Sequence, residues 1–231
     1  MVTVVTFLFD GWRHKAQGEI VFTAEIVNCV YRQYQKYLTV PHRFVCVTDQ
    51  PEGIECETFD INEFPTWPEV APEGWDNRAS DFFRLALFTD FGKVFGDRVL
   101  MTDLDVWLRG NIDHLITDDE FRILACPYGY CTALYLITPG ARPELAEYDP
   151  ETWTEECQAL KDAGRFVPGS DQSVVNARAS GNEVTFGPDD GVYLIRPSDN
   201  SIPDDCKFAM FYGTMKPWKR HDMKGEWYGT R

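Results

Sequence analysis

The sequence lacks the features that mark several large classes of protein. It has no run of roughly 20 apolar residues of the kind that crosses a bilayer. The apolar stretch at residues 2–9 is short and has neither a basic flank nor a small-residue cleavage site, so it reads as a buried strand and not as a signal peptide. The seven cysteines are odd in number and scattered, with no Cys-x-x-Cys pair, which excludes a zinc ribbon and predicts reduced thiols in a cytoplasmic protein. Histidine is scarce: His14, His42, His114 and His221 show no metal-ligand spacing among themselves. Internal repeats, low-complexity tracts and flexible linkers are missing too. Positive charge is short, with 22 Lys and Arg against 37 Asp and Glu, a net −15. Such a field repels phosphate backbones and anionic membranes, so a nucleic-acid coat or membrane-surface protein is disfavoured.

What is present suits one α/β domain. The 231 residues are 44% hydrophobic and 14% aromatic, enough for a continuous core. Residues 3–9 (TVVTFLF) are β-branched and aromatic without alternation, the pattern of a central strand buried on both faces. Apolar residues at spacings of three and four predict a helix over 19–38, and 43–48 (RFVCVT) reads as a second strand, so a parallel pair with a right-handed crossover is expected. A proline- and tryptophan-rich loop (61–77), a helix (77–90) and a strand (99–101) follow. Further strands are predicted at 121–125, 133–138 and 192–195, and helices at 151–163 and 170–179.

The most informative local pattern is Asp103-Leu104-Asp105 at the end of the strand over 99–101. Carboxylates two residues apart at the carboxyl end of a strand lie where open α/β sheets bind ligands, and both can reach one hard cation such as Mg²⁺ or Mn²⁺. Upstream, Asp81 and Arg84 stand three apart on one predicted helix face, placed to pair with each other or to offer Arg84 to phosphate. Downstream, Ser170-Asp171-Gln172 puts a carboxylate and an amide at a helix start, with Ser170 as the expected cap. Finally, Phe211-Tyr212-Gly213-Thr214-Met215-Lys216-Pro217-Trp218 joins a glycine, a fixed turn and a lysine.

In this order, the four stretches resemble the single-domain, Rossmann-like GT-A glycosyltransferases. They are most similar to the retaining enzymes of glycosyltransferase family 8, which include glycogenin and bacterial lipooligosaccharide galactosyltransferases. The resemblance implies a mostly parallel central sheet flanked by helices, with residues 1–102 as a nucleotide-binding half, 103–206 as a sugar and acceptor half, and 207–231 as a basic C-terminal lid. It implies metal-dependent transfer of a hexose from a nucleotide-sugar donor, UDP-linked by the family's habit, to a hydroxyl on a glycan, protein or small molecule, with retention. Asp103 and Asp105 match the metal pair, with Leu104 between them at the donor. Arg84 and Asp81 match donor contacts, and Asp171 and Gln172 match the pair at the reacting sugar. Gly213 and Lys216 match the segment that closes on the diphosphate. Thr6, Asp10 and Trp12 stand where the family binds base and ribose. Two positions depart: Met210 replaces a metal-binding histidine, leaving water or His221 as the third ligand, and Cys131-Thr132-Ala133 replaces an Asn-Ser-Gly beside the sugar. These departures keep open an impaired nucleotide-sugar-binding or lectin-like module as an alternative. A modified, hydroxymethylated DNA base is the alternative acceptor.

Charge is unevenly spread. Lys207, Lys216, Lys219, Arg220, Lys224 and Arg231 face only Asp222 and Glu226, giving +4 on residues 207–231 and −19 on the rest. This predicts a cationic lid whose removal after Asp205 abolishes donor binding and leaves a folded body.

Overall fold

The structure is a computed structural model. It describes residues 1–8, 22–65, 79–127, 129–149, 151–164, 170–199, 201–213, 216–220 and 227–228. Strand β1 (Val2–Leu8) is buried at all seven positions, as an unbroken β-branched and aromatic run requires. It pairs in parallel with β2 (His42–Thr48) on one side and β4 (Val99–Thr102) on the other. Helix α1 (Ala24–Tyr37) makes the first crossover. It starts later than the periodicity suggests, because Thr23 is extended and its hydroxyl accepts the Ile26 N–H at 3.4 Å, capping the helix there.

Seven strands form the main sheet in the order β3-β2-β1-β4-β7-β6-β8, with β3 (Glu57–Asp60), β6 (Phe121–Cys126), β7 (Gly129–Ile137) and β8 (Thr185–Phe186). It is mostly parallel, as expected; β7 alone runs against both of its neighbours. One face packs on α1, and the other on α2 (Trp153–Asp162), α3 (Asp171–Arg178) and the segment after residue 78. That segment is not the expected α-helix but two 3₁₀ runs, Ala79–Phe88 and Asp90–Phe95, separated by Thr89, whose hydroxyl accepts the Phe91 N–H. In 3₁₀ winding, side chains three apart eclipse, so Phe82, Leu85 and Phe88 form one buried row.

A second, three-stranded sheet has the order β5-β10-β9, from β5 (Val106–Leu108), β9 (Val192–Ile195) and β10 (Phe208–Phe211). Its central strand lies inside the segment expected to be a removable lid. Beyond it, Trp227 is buried and its indole N–H donates to the Val106 carbonyl at 2.7 Å. Cutting after Asp205 would therefore remove core, which overturns the expectation of a folded remainder; a lid can begin only after β10. All seven cysteines are free thiols. Among the described residues, no helix is long and apolar enough to cross a membrane.

Candidate active site

Asp103, Leu104 and Asp105 are the link between the two sheets. The Asp103 N–H extends the main ladder to the Ala133 carbonyl (2.9 Å), and the Phe211 N–H extends the small one to the Asp105 carbonyl (3.0 Å). Leu104, fully buried, anchors the bend between them and leaves only its backbone for a ligand. The bend sits at the carboxyl end of β4, beside β1. Between these two strands the order of the sheet reverses, and open α/β sheets place ligands at such a switch point.

Arg84 reaches this point from the 3₁₀ run. Its Nη1 donates to Asp103 Oδ1 at 2.7 Å, while Nη2 and Nε meet the two oxygens of Asp171 at 3.2 Å each. Asp171 is the first residue of α3 and 1% exposed, so the guanidinium stabilises a carboxylate that burial alone would neutralise. Arg84 thus turns inward to Asp103 and Asp171; Asp81 lies on the same 3₁₀ run, but its side chain is outside the described residues. The Tyr135 hydroxyl donates to the Arg84 carbonyl at 3.1 Å. Burial, and then the charge of Asp171, push that hydroxyl well above the ordinary tyrosine range, so it stays a neutral donor.

Lys216 pairs with Asp105 through Oδ2, its ammonium 5.8 Å from the centre of the Phe22 ring. Asp105 Oδ1 is buried and has no hydrogen-bond partner among the described residues. Among the described residues, the cluster holds three carboxylates (Asp103, Asp105, Asp171) and two cations (Arg84, Lys216). Gly213, at φ +68°, makes the left-handed turn that brings the chain from β10 toward Lys216.

Gln172 and Asn176 divide the work of one helix. The Asn176 amide N–H₂ donates to the Tyr130 carbonyl (2.8 Å) and the Gln172 carbonyl (2.7 Å), and its oxygen accepts the Tyr130 N–H (2.9 Å), tying α3 to β7. Gln172 instead lines a cavity of about 760 Å³ together with Cys131, Leu194 and Tyr212. Burial pushes the Cys131 thiol far up, with Asp103 adding to the shift, so it is a neutral wall and not a nucleophile. Ser170 occupies the cap position, but its side chain makes no cap hydrogen bond; the Ser173 N–H goes to its carbonyl instead.

Arg84, Asp103, Asp105, Asp171 and Lys216 are thus brought together, with Gln172 at the neighbouring cavity. Thr6 is fully buried within β1, its hydroxyl without a partner among the described residues. Asp10, Trp12 and His221 lie outside the described residues. Met210 is in β10, buried in the core opposite Val106 and Leu194. Among the described residues, no group of three or more His, Cys, Asp or Glu is arranged to hold a metal. Sequence reasoning missed Tyr135, for which no local motif exists; only the pairing of β7 with β4 and β6 identifies it.

This arrangement of sheets and switch point is the GT-A glycosyltransferase fold. Among solved structures, the galactosyltransferase LgtC in complex with donor and acceptor sugar analogues is similar at a TM-score of 0.57 and 14% identity, over 99% of this chain and 95% of that one. The bifunctional glycosyltransferase WbbM is similar at 0.56 and 13%, over 98% of this chain and 48% of its own. The glycosyltransferase GlyE of Streptococcus pneumoniae is similar at 0.56 and 12%, over 98% and 59%. No protein-family model matches the sequence, and no curated protein matches it significantly.

Proposed function

We propose that this protein is a glycosyltransferase that moves a hexose from a nucleotide-sugar donor, preferably UDP-linked, to a hydroxyl acceptor with retention. The observation that carries this reading is Arg84 joining Asp103 of the Asp-x-Asp pair to Asp171 of the Asp-Gln pair, with Lys216 on Asp105 beside them. Motifs far apart in sequence meet at one switch point in a GT-A fold. In this reading residues 1–102 serve the nucleotide, with Thr6, Asp10 and Trp12 at base and ribose and Asp81 at the donor sugar. Residues 103–206 serve the sugar and acceptor, and the segment from Tyr212 closes over the diphosphate. The reduced cysteines favour the cytoplasm.

Asp103 and Asp105 suit a divalent cation, Mn²⁺ or Mg²⁺. Asp105 Oδ1 is a buried acceptor left without a partner among the described residues, and a carboxylate oxygen is a hard ligand that suits such a cation. Bound there, such an ion supplies Lewis-acid stabilisation to a departing diphosphate. Arg84 commits its nitrogens to two carboxylates, so its part is to hold Asp103 and Asp171 in place. Lys216 can leave Asp105 for a phosphate oxygen, trading one anionic partner for another. Asp171 and Gln172 stabilise positive charge that develops on the sugar. Asp171 is held in its ion pair and Cys131 is a neutral thiol, so neither serves as a base; in this reading the leaving phosphate takes the proton of the acceptor hydroxyl, which fits retention.

The test is a thermal-shift panel of UDP-, GDP-, ADP- and CMP-sugars with and without Mn²⁺. Stabilisation by one nucleotide class is expected; none with any would overturn the reading. Met210 favours a second reading, a donor-binding module without turnover, because a buried thioether is a poor ligand for a hard cation. Mn²⁺-dependent donor hydrolysis that disappears in Asp105→Asn decides for the enzyme.

A further inference from the structure

The cavity beside the cluster draws its walls from both sheets. The β6–β7 hairpin brings Cys126 and Cys131 to it, β9 brings Leu194, and α3 brings Gln172. Cys131 stands opposite Leu124 and Cys126 opposite Gly129, so the two thiols project from one face of the hairpin. Tyr212 follows β10 and is fixed at the wall by its N–H, which donates to the Ile195 carbonyl at 2.9 Å. Among the described residues that line the cavity there is none of Arg84, Asp103, Asp105, Asp171 or Lys216, so it is distinct from the groups suited to a metal and a diphosphate. Its charged lining residues, Lys161 and Arg196, are exposed and belong to the solvent side. The half-buried wall is different: it consists, among the described residues, of Cys126, Cys131, Leu194 and Gln172. A thiol packs as a small hydrophobe, and Cys131 and Leu194 both rest against the core behind them. Gln172 therefore offers one hydrogen-bonding amide on an inner wall that is otherwise apolar, the usual make-up of a site for a small organic ligand.

We propose that this cavity takes an amphipathic acceptor: a sugar or other polyol whose reacting hydroxyl lies at Gln172 and whose far side carries an apolar aryl or alkyl group, set against Leu194 and Cys131. This rests on the glycosyltransferase reading above. In the transfer, the acceptor oxygen forms a bond to the anomeric carbon, and the bond from that carbon to the β-phosphate oxygen breaks. The electron pair leaves with the nucleoside diphosphate, and the hydroxyl proton passes to a phosphate oxygen. The apolar group takes no part in these bonds, so Leu194 and Cys131 set affinity and specificity through the surface they remove from water.

The test uses the full chain with UDP and Mn²⁺ present and measures binding by ligand-detected NMR. Matched probes are methyl, phenyl and n-hexyl hexosides in gluco, galacto and manno forms, with phenol and hexanol as controls for the apolar group alone. At least one phenyl or hexyl hexoside is expected to bind about tenfold or more tighter than the methyl hexoside of the same sugar, and the aryl and alkyl arms tell which apolar group is used. In hydroxyl-radical footprinting of the unaltered chain, that ligand is expected to shield Leu194 and Cys131 and to leave Cys56 unshielded. The preference is expected to shrink in Leu194→Ser; if that variant does not fold, the footprint decides. Equal binding of all aglycones, no hexoside binding, phenol or hexanol binding as tightly as its hexoside, a preference without shielding of Leu194 and Cys131, or a preference that survives in folded Leu194→Ser would each overturn the proposal. A thermal shift with UDP on the same samples separates the two readings. If UDP stabilises the chain and no preference appears, the acceptor inference alone falls; if UDP does nothing, the donor reading falls and this one with it.

Discussion

Arg142 and Arg84 each bridge two carboxylates, and they do so to different ends. Arg142 pairs with Glu144 and donates to both oxygens of Glu183 at 2.7 and 3.1 Å, its guanidinium 5.5 Å from the centre of the Phe121 ring. Glu183 also accepts the backbone N–H and hydroxyl of Ser180, both at 2.9 Å, so that network is closed. Arg84 makes a similar bridge between Asp103 and Asp171, but beside it Asp105 keeps a buried oxygen with no hydrogen-bond partner among the described residues. The same residue types give a rivet in one place and a receptor in the other. Saturation of the hydrogen-bonding capacity, more than burial or charge, separates the two.

The sharpest way to break this comparison is to replace both arginines by methionine. Arg84→Met removes the cation that bridges Asp103 to the buried Asp171 and is expected to cost about 3–5 kcal/mol in denaturant unfolding, whereas Arg142→Met, at a more exposed site, costs about 1–2 kcal/mol. Equal losses would mean that the two bridges do the same work. Next in size is Asp105→Asn, expected to lower donor turnover at least about a hundredfold in a steady-state assay. Its stability loss stays below about 2 kcal/mol, because the amide oxygen still accepts from Lys216. A collapse of the fold in Asp105→Asn would make the open cluster structural. Gly129 has φ +125°, and a Cβ there would stand 2.1 Å from Asn176 Oδ1. Gly129→Ala is therefore expected to cost about 2 kcal/mol by loosening the α3–β7 clamp, visible as a lowered Tm with donor affinity reduced less than in Asp105→Asn.

The smallest effect concerns acid. The Arg142 hydrogen bonds hold the Glu183 carboxyl down to about 2 from its ordinary 4.5. Its folded value is depressed, so its contribution is fully present above about pH 4.5 and fades as pH falls toward 2. Glu183→Gln should flatten this limb of the stability curve, measured by denaturant midpoints across that range. A variant with the parent's acid slope would show that the rivet contributes nothing through charge.

Much of this was legible in the sequence, for identifiable reasons. Unbroken β-branched runs mark β1 and β2 because both faces are buried, and Asp103 with Asp105 announces itself through composition and spacing. Of the second sheet only β9 was legible, at residues 192–195. Strand β5 has three residues and β10 has four, too short for a periodicity to declare itself, and their pairing joins residues about a hundred positions apart. The same blindness produced the expectation of a removable tail. Charge composition singled out residues 207–231 as a lid and said nothing of Phe208 and Phe211, which fill the core. Asp171, Gln172 and Asn176 are three polar residues of one short helix. Only the hydrogen bonds separate Asn176, which is a fastener, from the other two.

The bend from Asp103 to Asp105, laced to a different sheet at each end, also bears on how the protein comes into being. One lace runs to β7 and the other to β10, so the two carboxylates acquire their spacing only after residues 208–211 have been made and docked. A growing chain carries the acidic pair from its midpoint onward without a place to hold a ligand. Synthesis must therefore reach β10, and β10 must dock, before the acidic pair can hold a ligand.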